Sequence, residues 1–345
     1  MDEDTISQLL EQILQAEKEK NLTRIKQEML KELAQEARER AEFEARLYLR
    51  WKKALDLFET IFLLGRQSGT EFNQQVRPYA AQQNDLVFDV LTRIHARACM
   101  TTSAILSLLK SGHAQDALAR ARTLHELDVT AQFIHQGGNE LAEKYLFYQV
   151  VESLKAARQY EKHSTRLGYG PLDPETIPLL EHQVVQYRTK FGEQFSKGVT
   201  RGSYGWAAEA LNKQQPTFED IEEAIGLAHM RPYYKMASYS IHASAKGIMF
   251  DIAGVGSQKV LPAGPSNAGL TDPGSMALTS FHRCTILLLL YRRYFHEPDL
   301  RETSLKSLLA SRVLQELLKE ANQAFLEAHQ QLVREELERQ ALEDQ

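Results

Sequence analysis

The chain has 345 residues, 43% hydrophobic and 25% charged, enough to bury a sizeable core in the manner of an ordinary globular protein. With 41 basic against 46 acidic residues, its net charge of −5 at pH 7 argues against wholesale coating of nucleic acid. Its two cysteines, Cys99 and Cys284, lie far apart and form neither a zinc nor a redox pattern, which excludes a disulfide scaffold and fits a reducing compartment.

The start, MDEDTISQLLEQ, is acidic and without signal-peptide character. The most apolar run, TILLLLYRRYF, is too short to span a bilayer. A cytoplasmic protein without membrane contact is expected. From Asp2 to about Arg50 the sequence is nearly continuous helix former, with no proline or glycine. Leu9, Ile13, Leu22, Ile25, Met29 and Leu33 are read as one narrow apolar stripe on a charged rod. Residues 1–50 are therefore expected to form a helical arm that packs on its own body or on a helical partner, including a second copy.

The core domain is expected over 51–300. It opens with a better helical face, Trp51, Leu55, Phe58 and Phe62, for which Gly65 and Gly69 read as the end. The stretch DLVFDVLTRIHARACMTTSAILSLLKSG follows and stops at Gly112. After the next helices, the segment RLGYGPLDPETIP makes a break before Leu179 to Phe195. The stretch KGVTRGSYGWAAEALNKQQPTFED combines a glycine-rich turn, a short helix and an N-cap region. IEEAIGLAHM and PYYKMASYSIHASAKGIMF read as two helices, with Pro232 suited to a first turn. A glycine- and proline-rich loop is expected near 251–275, where GVGS is a weak phosphate-binding signal and GSQKVLPAG gives one short edge strand at most. Met276 to His296 forms another core helix. A charged, Leu-rich helix closes the chain over 301–345, packed on the core or on a partner. The fold class is all-α, an irregular multi-helix bundle with long terminal helices.

Two segments place ionisable groups in apolar helices. In ARARTLHELD, Arg122 and Glu126 are four residues apart and Arg122 and His125 three, so the three project to neighbouring positions. They are either an internal pair that fixes packing or a polar pocket in which Arg122 holds an anion and His125 or Glu126 moves protons. In YYKMASYSIHASAKG, Tyr234, Ser238 and His242 recur every four residues and are read as sharing one helical face. His242 is the foremost catalytic candidate, because imidazole changes charge near neutrality. Arg201, Tyr204 and Trp206 of RGSYGW combine a basic group with aromatics, able to stack a base or to anchor a turn. No His, Asp, Glu or Cys grouping has metal-ligand spacing, so neither a metal nor a cofactor is expected.

Three segments in order, RIHARACMTTSAILSLLKSGHAQDALARARTLHELDVTAQFI, RGSYGWAAEAL and YKMASYSIHASAKG, carry a family resemblance. Over roughly Trp51 to Phe295 the chain resembles the uncharacterised prokaryotic family numbered 5677 among domains of unknown function. More distantly, it is similar to HEPN-type helical proteins, among them ribonucleases of defence and toxin systems. The resemblance places the family's arginine and glutamate on Arg122 and Glu126, and its tyrosine, serine and histidine on Tyr234, Ser238 and His242. It implies a helical domain of bacterial or phage origin.

Two functions follow as expectations. One is a defence or toxin-like effector acting on RNA or a nucleotide by metal-independent acid–base chemistry, with His242, Arg122 and Glu126 catalytic and Tyr234, Ser238, Arg201, Tyr204, Trp206 and His125 binding substrate. The other is a non-enzymatic scaffold or interaction module whose buried polar pairs specify packing.

Overall fold

In the computed structural model, residues 3–199, 204–249 and 263–343 are described, and among them every regular element is helical. The chain divides into two units, residues 1–50 and 51–345. In the first, helix α1 (Glu3–Gln82) begins, and every residue from 5 to 42 is exposed. The apolar residues here do not form the single stripe expected. Nine residues separate Ile13 from Leu22, and at ~100° per residue that interval turns the helix by about two and a half turns. Leu9 and Ile13 therefore lie on the face opposite Leu22, Met29 and Leu33.

In the second unit α1 does not stop at Gly65 or Gly69 but runs on to Gln82, with Pro78 inside it. The glycines are sites of close approach. A Cβ at Gly65 would lie 2.8 Å from Cε1 of Phe281, and one at Gly69 would overlap the His95 ring. Their missing side chains let α1 seat against α2 (Leu86–Lys110) and α9 (Thr271–Leu289). Helix α2 ends just before Gly112, whose φ of +77° suits glycine. Helix α3 (Ala114–Phe147) runs across a kink at Gly138, where φ is +71°.

Helices α2, α3 and α9 pack on one another and form the centre of the body. Trp51, Phe58, Phe72, Phe88, Phe281, Tyr294 and Phe325 are fully buried. Helix α4 (Gln149–His163) pairs with α5 (Thr176–Phe191). Helix α6 (Phe218–Ala224) starts at a Thr217–Asp220 capping box and stops before Gly226, with φ of +74°, so IEEAIGLAHM is not one helix. Helix α7 (Arg231–Tyr239), with Pro232 in its first turn, packs on α3. A short α8 (Ala245–Ile248) follows.

Helix α9 begins at Thr271, earlier than the expected loop allows. GVGS and most of GSQKVLPAG lie outside the described residues. The last helix, α10 (Arg301–Glu343), packs on α9. The Phe325 ring sits 6.0 Å from that of Trp51, and it fills the space that Gly274 leaves.

Candidate functional site

The turn of α3 from Arg120 to Asp128 aims its polar residues in different directions, as a spacing of three or four residues on a helix requires. Arg122 and Glu126 point towards α7. Arg122 Nε donates to Glu126 Oε1 at 3.1 Å, and Arg122 Nη2 donates to the Tyr234 hydroxyl at 2.6 Å. Tyr234 in turn donates to Glu126 Oε1 at 2.9 Å, which closes a triangle. The Tyr234 ring is flanked by two guanidinium groups, Arg122 at 4.4 Å and Arg231 at 4.9 Å from its centroid. Burial, and then the Glu126 carboxylate, push the Tyr234 hydroxyl up to about 12. This triangle lies at the edge of the core, since the side chains of Arg122 and Glu126 are 18% and 34% exposed.

His125 points away from it into dry protein. Its Nε2 donates to Glu222 Oε1 at 2.9 Å, and both side chains are fully buried. Glu222 Oε2 accepts from Arg231 Nη1 at 2.6 Å, and Arg231 also reaches Glu219 at 2.9 Å. Phe218 packs edge-on against His125 and lies 5.0 Å from Tyr234, so it joins the two networks. Helices α3, α6 and α7 are thus tied together by one continuous polar and aromatic seam.

The remaining candidates are placed differently. Helix α7 ends at Tyr239, so His242 does not share a helical face with Tyr234. It is exposed in the turn beyond, with no side-chain hydrogen bond among the described residues. Ser238 Oγ donates to the Tyr234 carbonyl of its own helix at 2.7 Å. Tyr204 stands beside the triangle, its ring 6.2 Å from Phe218. Burial, then the charges of Glu126 and Tyr234, raise its hydroxyl well above the ordinary range. Trp206 is buried edge-on against Phe133 and Tyr145, at 5.8 and 5.0 Å. Arg201 lies outside the described residues.

Two further polar clusters escaped the sequence reading. Asp85 caps α2 by accepting from Phe88 N, and its carboxylate also accepts from the hydroxyls of Tyr291 and Tyr294 at 2.7–2.9 Å. The dipeptide Asn84–Asp85 before an apolar run was a readable N-cap signal, whereas nothing local announced the tyrosines. Asp128, also fully buried, accepts from Arg283 Nε at 2.7 Å and from Gln132 Nε2 at 2.6 Å. Among the described residues no group of three or more His, Cys, Asp or Glu could hold a metal ion, and no helix is long and apolar enough to cross a membrane.

Residues 88–257 match the sequence profile of a family described as "Family of unknown function (DUF5677)". No curated protein and no solved structure matches the chain. The match is narrower than the Trp51 to Phe295 extent expected. It contains Arg122, Glu126, Tyr204, Tyr234, Ser238 and His242, and it leaves out Asp85 and Arg283.

Proposed function

The chain belongs to the DUF5677 family through residues 88–257, and from that footing we propose that it is a non-enzymatic helical interaction module. Its body is locked by polar pairs, and its terminal helices engage a second copy or another helical protein. The observation that carries this reading is the pairing of polar groups across α3, α6 and α7. Arg122, Glu126 and Tyr234 bond to one another, Glu222 serves both His125 and Arg231, and Ser238 bonds to its own helix. Groups held this way specify which helices pack and in what register. The apolar residues of the arm, with Ile6, Leu10, Ile25 and Met29 each 44–56% exposed, supply surface for partners on two faces.

A second reading, a defence-type effector acting on RNA or a nucleotide, is favoured by the partial exposure of Arg122 and Glu126. Glu126 Oε2 has no partner among the described residues, and His242 is exposed. One experiment separates the two readings. Purified protein is incubated with mixed RNAs and common nucleotides in chelator, beside Arg122→Ala and His242→Ala variants of verified fold. The interaction reading expects no product from any of the three. Turnover by wild type that His242→Ala abolishes would replace it with the effector reading.

A further inference from the structure

In the second unit α1 buries Trp51, Leu55, Phe58 and Phe62 and, beyond Gly65 and Gly69, Phe72 and Val76, in steps that alternate between three and four residues. That alternation is the heptad of a coiled-coil seam. Counted back through residues 1–50, the same register falls on positions 6, 9, 13, 16, 20, 23, 27, 30, 34, 37 and 41, about five heptads. Lys20 is the one charged residue at these positions, although the arm is otherwise rich in Glu, Lys and Arg. The large apolar residues of the arm are split between two faces, but this seam is continuous. All of it is exposed, with Ile6 at 49% and Leu30 at 73%.

The seam fits a second copy of itself. Laid antiparallel with Ile6 facing Ala37 of the second copy, it sets Leu9 against Ala34, Ile13 against Leu30 and Lys20 against Thr23, so large residues meet small ones at both ends. The positions that flank the seam are complementary in charge. Glu17 lies across from Arg24 of the second copy and Glu19 from Lys26, and the two-fold axis repeats each pair. Sliding the copies by one heptad in one direction sets Glu17 and Glu19 against their own counterparts; in the other direction it does the same to Arg24 and Lys26. A parallel pair puts Lys20 against Lys20 in the seam and Lys26 across from Lys31. Repulsion therefore selects both direction and register. Within one copy Glu17 reaches Lys20 at 3.5 Å and Glu19 accepts from Gln15 at 2.8 Å, both at the exposed surface, where exchange for a new partner costs little.

We propose that the arms of two copies form an antiparallel, left-handed two-stranded coiled coil over residues 6–37, with its two-fold axis beside Asn21 and Leu22. This rests on the interaction reading and names a second copy as the partner of the N-terminal helix. Leu22, Ile25 and Met29 stay on the outer face of the pair.

Sedimentation equilibrium of the full chain is expected to give twice the 39.3 kDa of one copy. Glu17→Lys with Glu19→Lys, and separately Arg24→Glu with Lys26→Glu, are each expected to weaken self-association about tenfold or more, ~1.4 kcal/mol, and an equimolar mixture of the two variants is expected to recover it. All four positions are exposed in the arm, so the second unit folds in every variant. Direction is read from the distance between spin labels at Gln8→Cys in a Cys99→Ser background. An antiparallel pair brings Gln8 level with Gln35 of the second copy and sets the labels ~40 Å apart, whereas a parallel pair holds them within ~20 Å. A monomer at about 100 μM overturns the proposal, as does a dimer indifferent to both charge reversals, or a short label distance. Such a failure leaves the interaction reading standing with a different helical protein as partner; that reading falls only if wild type turns over RNA or a nucleotide.

Discussion

His125 of α3 and Glu222 of α6 meet at 2.9 Å with neither side chain reached by solvent, although 97 residues separate them in the chain. Glu222 also accepts from Arg231, so one carboxylate closes the α3–α6–α7 corner. Glu222→Ala leaves the buried His125 Nε2 without its acceptor and takes one of two carboxylates from the part-exposed Arg231, and is expected to cost roughly 3–5 kcal/mol. Glu222→Gln, which keeps one carbonyl acceptor, is expected to cost less. Urea titration of the three proteins measures both differences, and coincident midpoints would show that the corner contributes nothing.

Arg122→Ala should be milder. The sequence alone allows a buried Arg122–Glu126 pair whose loss would be severe, but at 34% exposure Glu126 can turn to water. The expected cost is about 1–2 kcal/mol, shared between the lost hydrogen bonds and the lost packing on the Tyr234 ring. Tyr234→Phe, which keeps the ring but opens the triangle, is expected to cost about 1 kcal/mol. Thermal and denaturant unfolding should rank Glu222→Ala well below both.

Asp85→Ala removes an N-cap and strips two buried tyrosine hydroxyls of their acceptor. A lost cap costs about 0.5–2 kcal/mol and each unmatched buried hydroxyl about 1–3. A destabilisation of about 3–5 kcal/mol is expected. The triple variant Asp85→Ala, Tyr291→Phe, Tyr294→Phe should recover part of the loss, because it removes the orphaned donors as well. If the triple variant is the least stable of the set, hydroxyl satisfaction is not what makes Asp85 matter.

Acid should weaken the body through two histidines. Burial holds His95 and His282 at about 4, against an ordinary value of 6.5. Between these values the unfolded chain binds more protons than the folded one, so stability is full above pH ~6.5 and falls as pH drops towards ~4. Each ring contributes at most on the order of 3 kcal/mol over that window. His95→Asn should flatten the slope of unfolding free energy between pH 7 and 4.5 relative to wild type. Parallel pH curves for the two proteins would show that His95 is not the titrating group.

The helices were legible because their apolar residues recur at helical spacing, and the Arg122–Glu126 contact was legible because it lies within one turn of one helix. Gly65 and Gly69 misled for a physical reason. A glycine that ends a helix and one that admits a neighbouring ring look alike until the neighbour, Phe281 or His95, is known. The Tyr234–Ser238–His242 spacing promised a shared face, but the helix ends at Tyr239 and carries only the first two. The partners that complete the polar clusters are distant in sequence. Tyr234 reaches Arg122 over 112 residues, Arg283 reaches Asp128 over 155, and Tyr294 reaches Asp85 over 209. Such pairings leave no local signature, because each residue by itself is an ordinary polar position on a helix.

The Asp85 cap also bears on the order of events at the ribosome. The carboxylate that starts α2 finds its tyrosines 206 and 209 residues later, Trp51 donates to a carbonyl 216 residues on, and His95 meets Thr285 across 190. At roughly 5–20 residues per second, α2 waits on the order of 10–40 s after its own synthesis before the groups that complete its first turn exist. Through that interval its apolar faces have no α9 to cover them. Until the last third is made, α2 has α3 beside it but neither α9 nor the tyrosines that complete its cap.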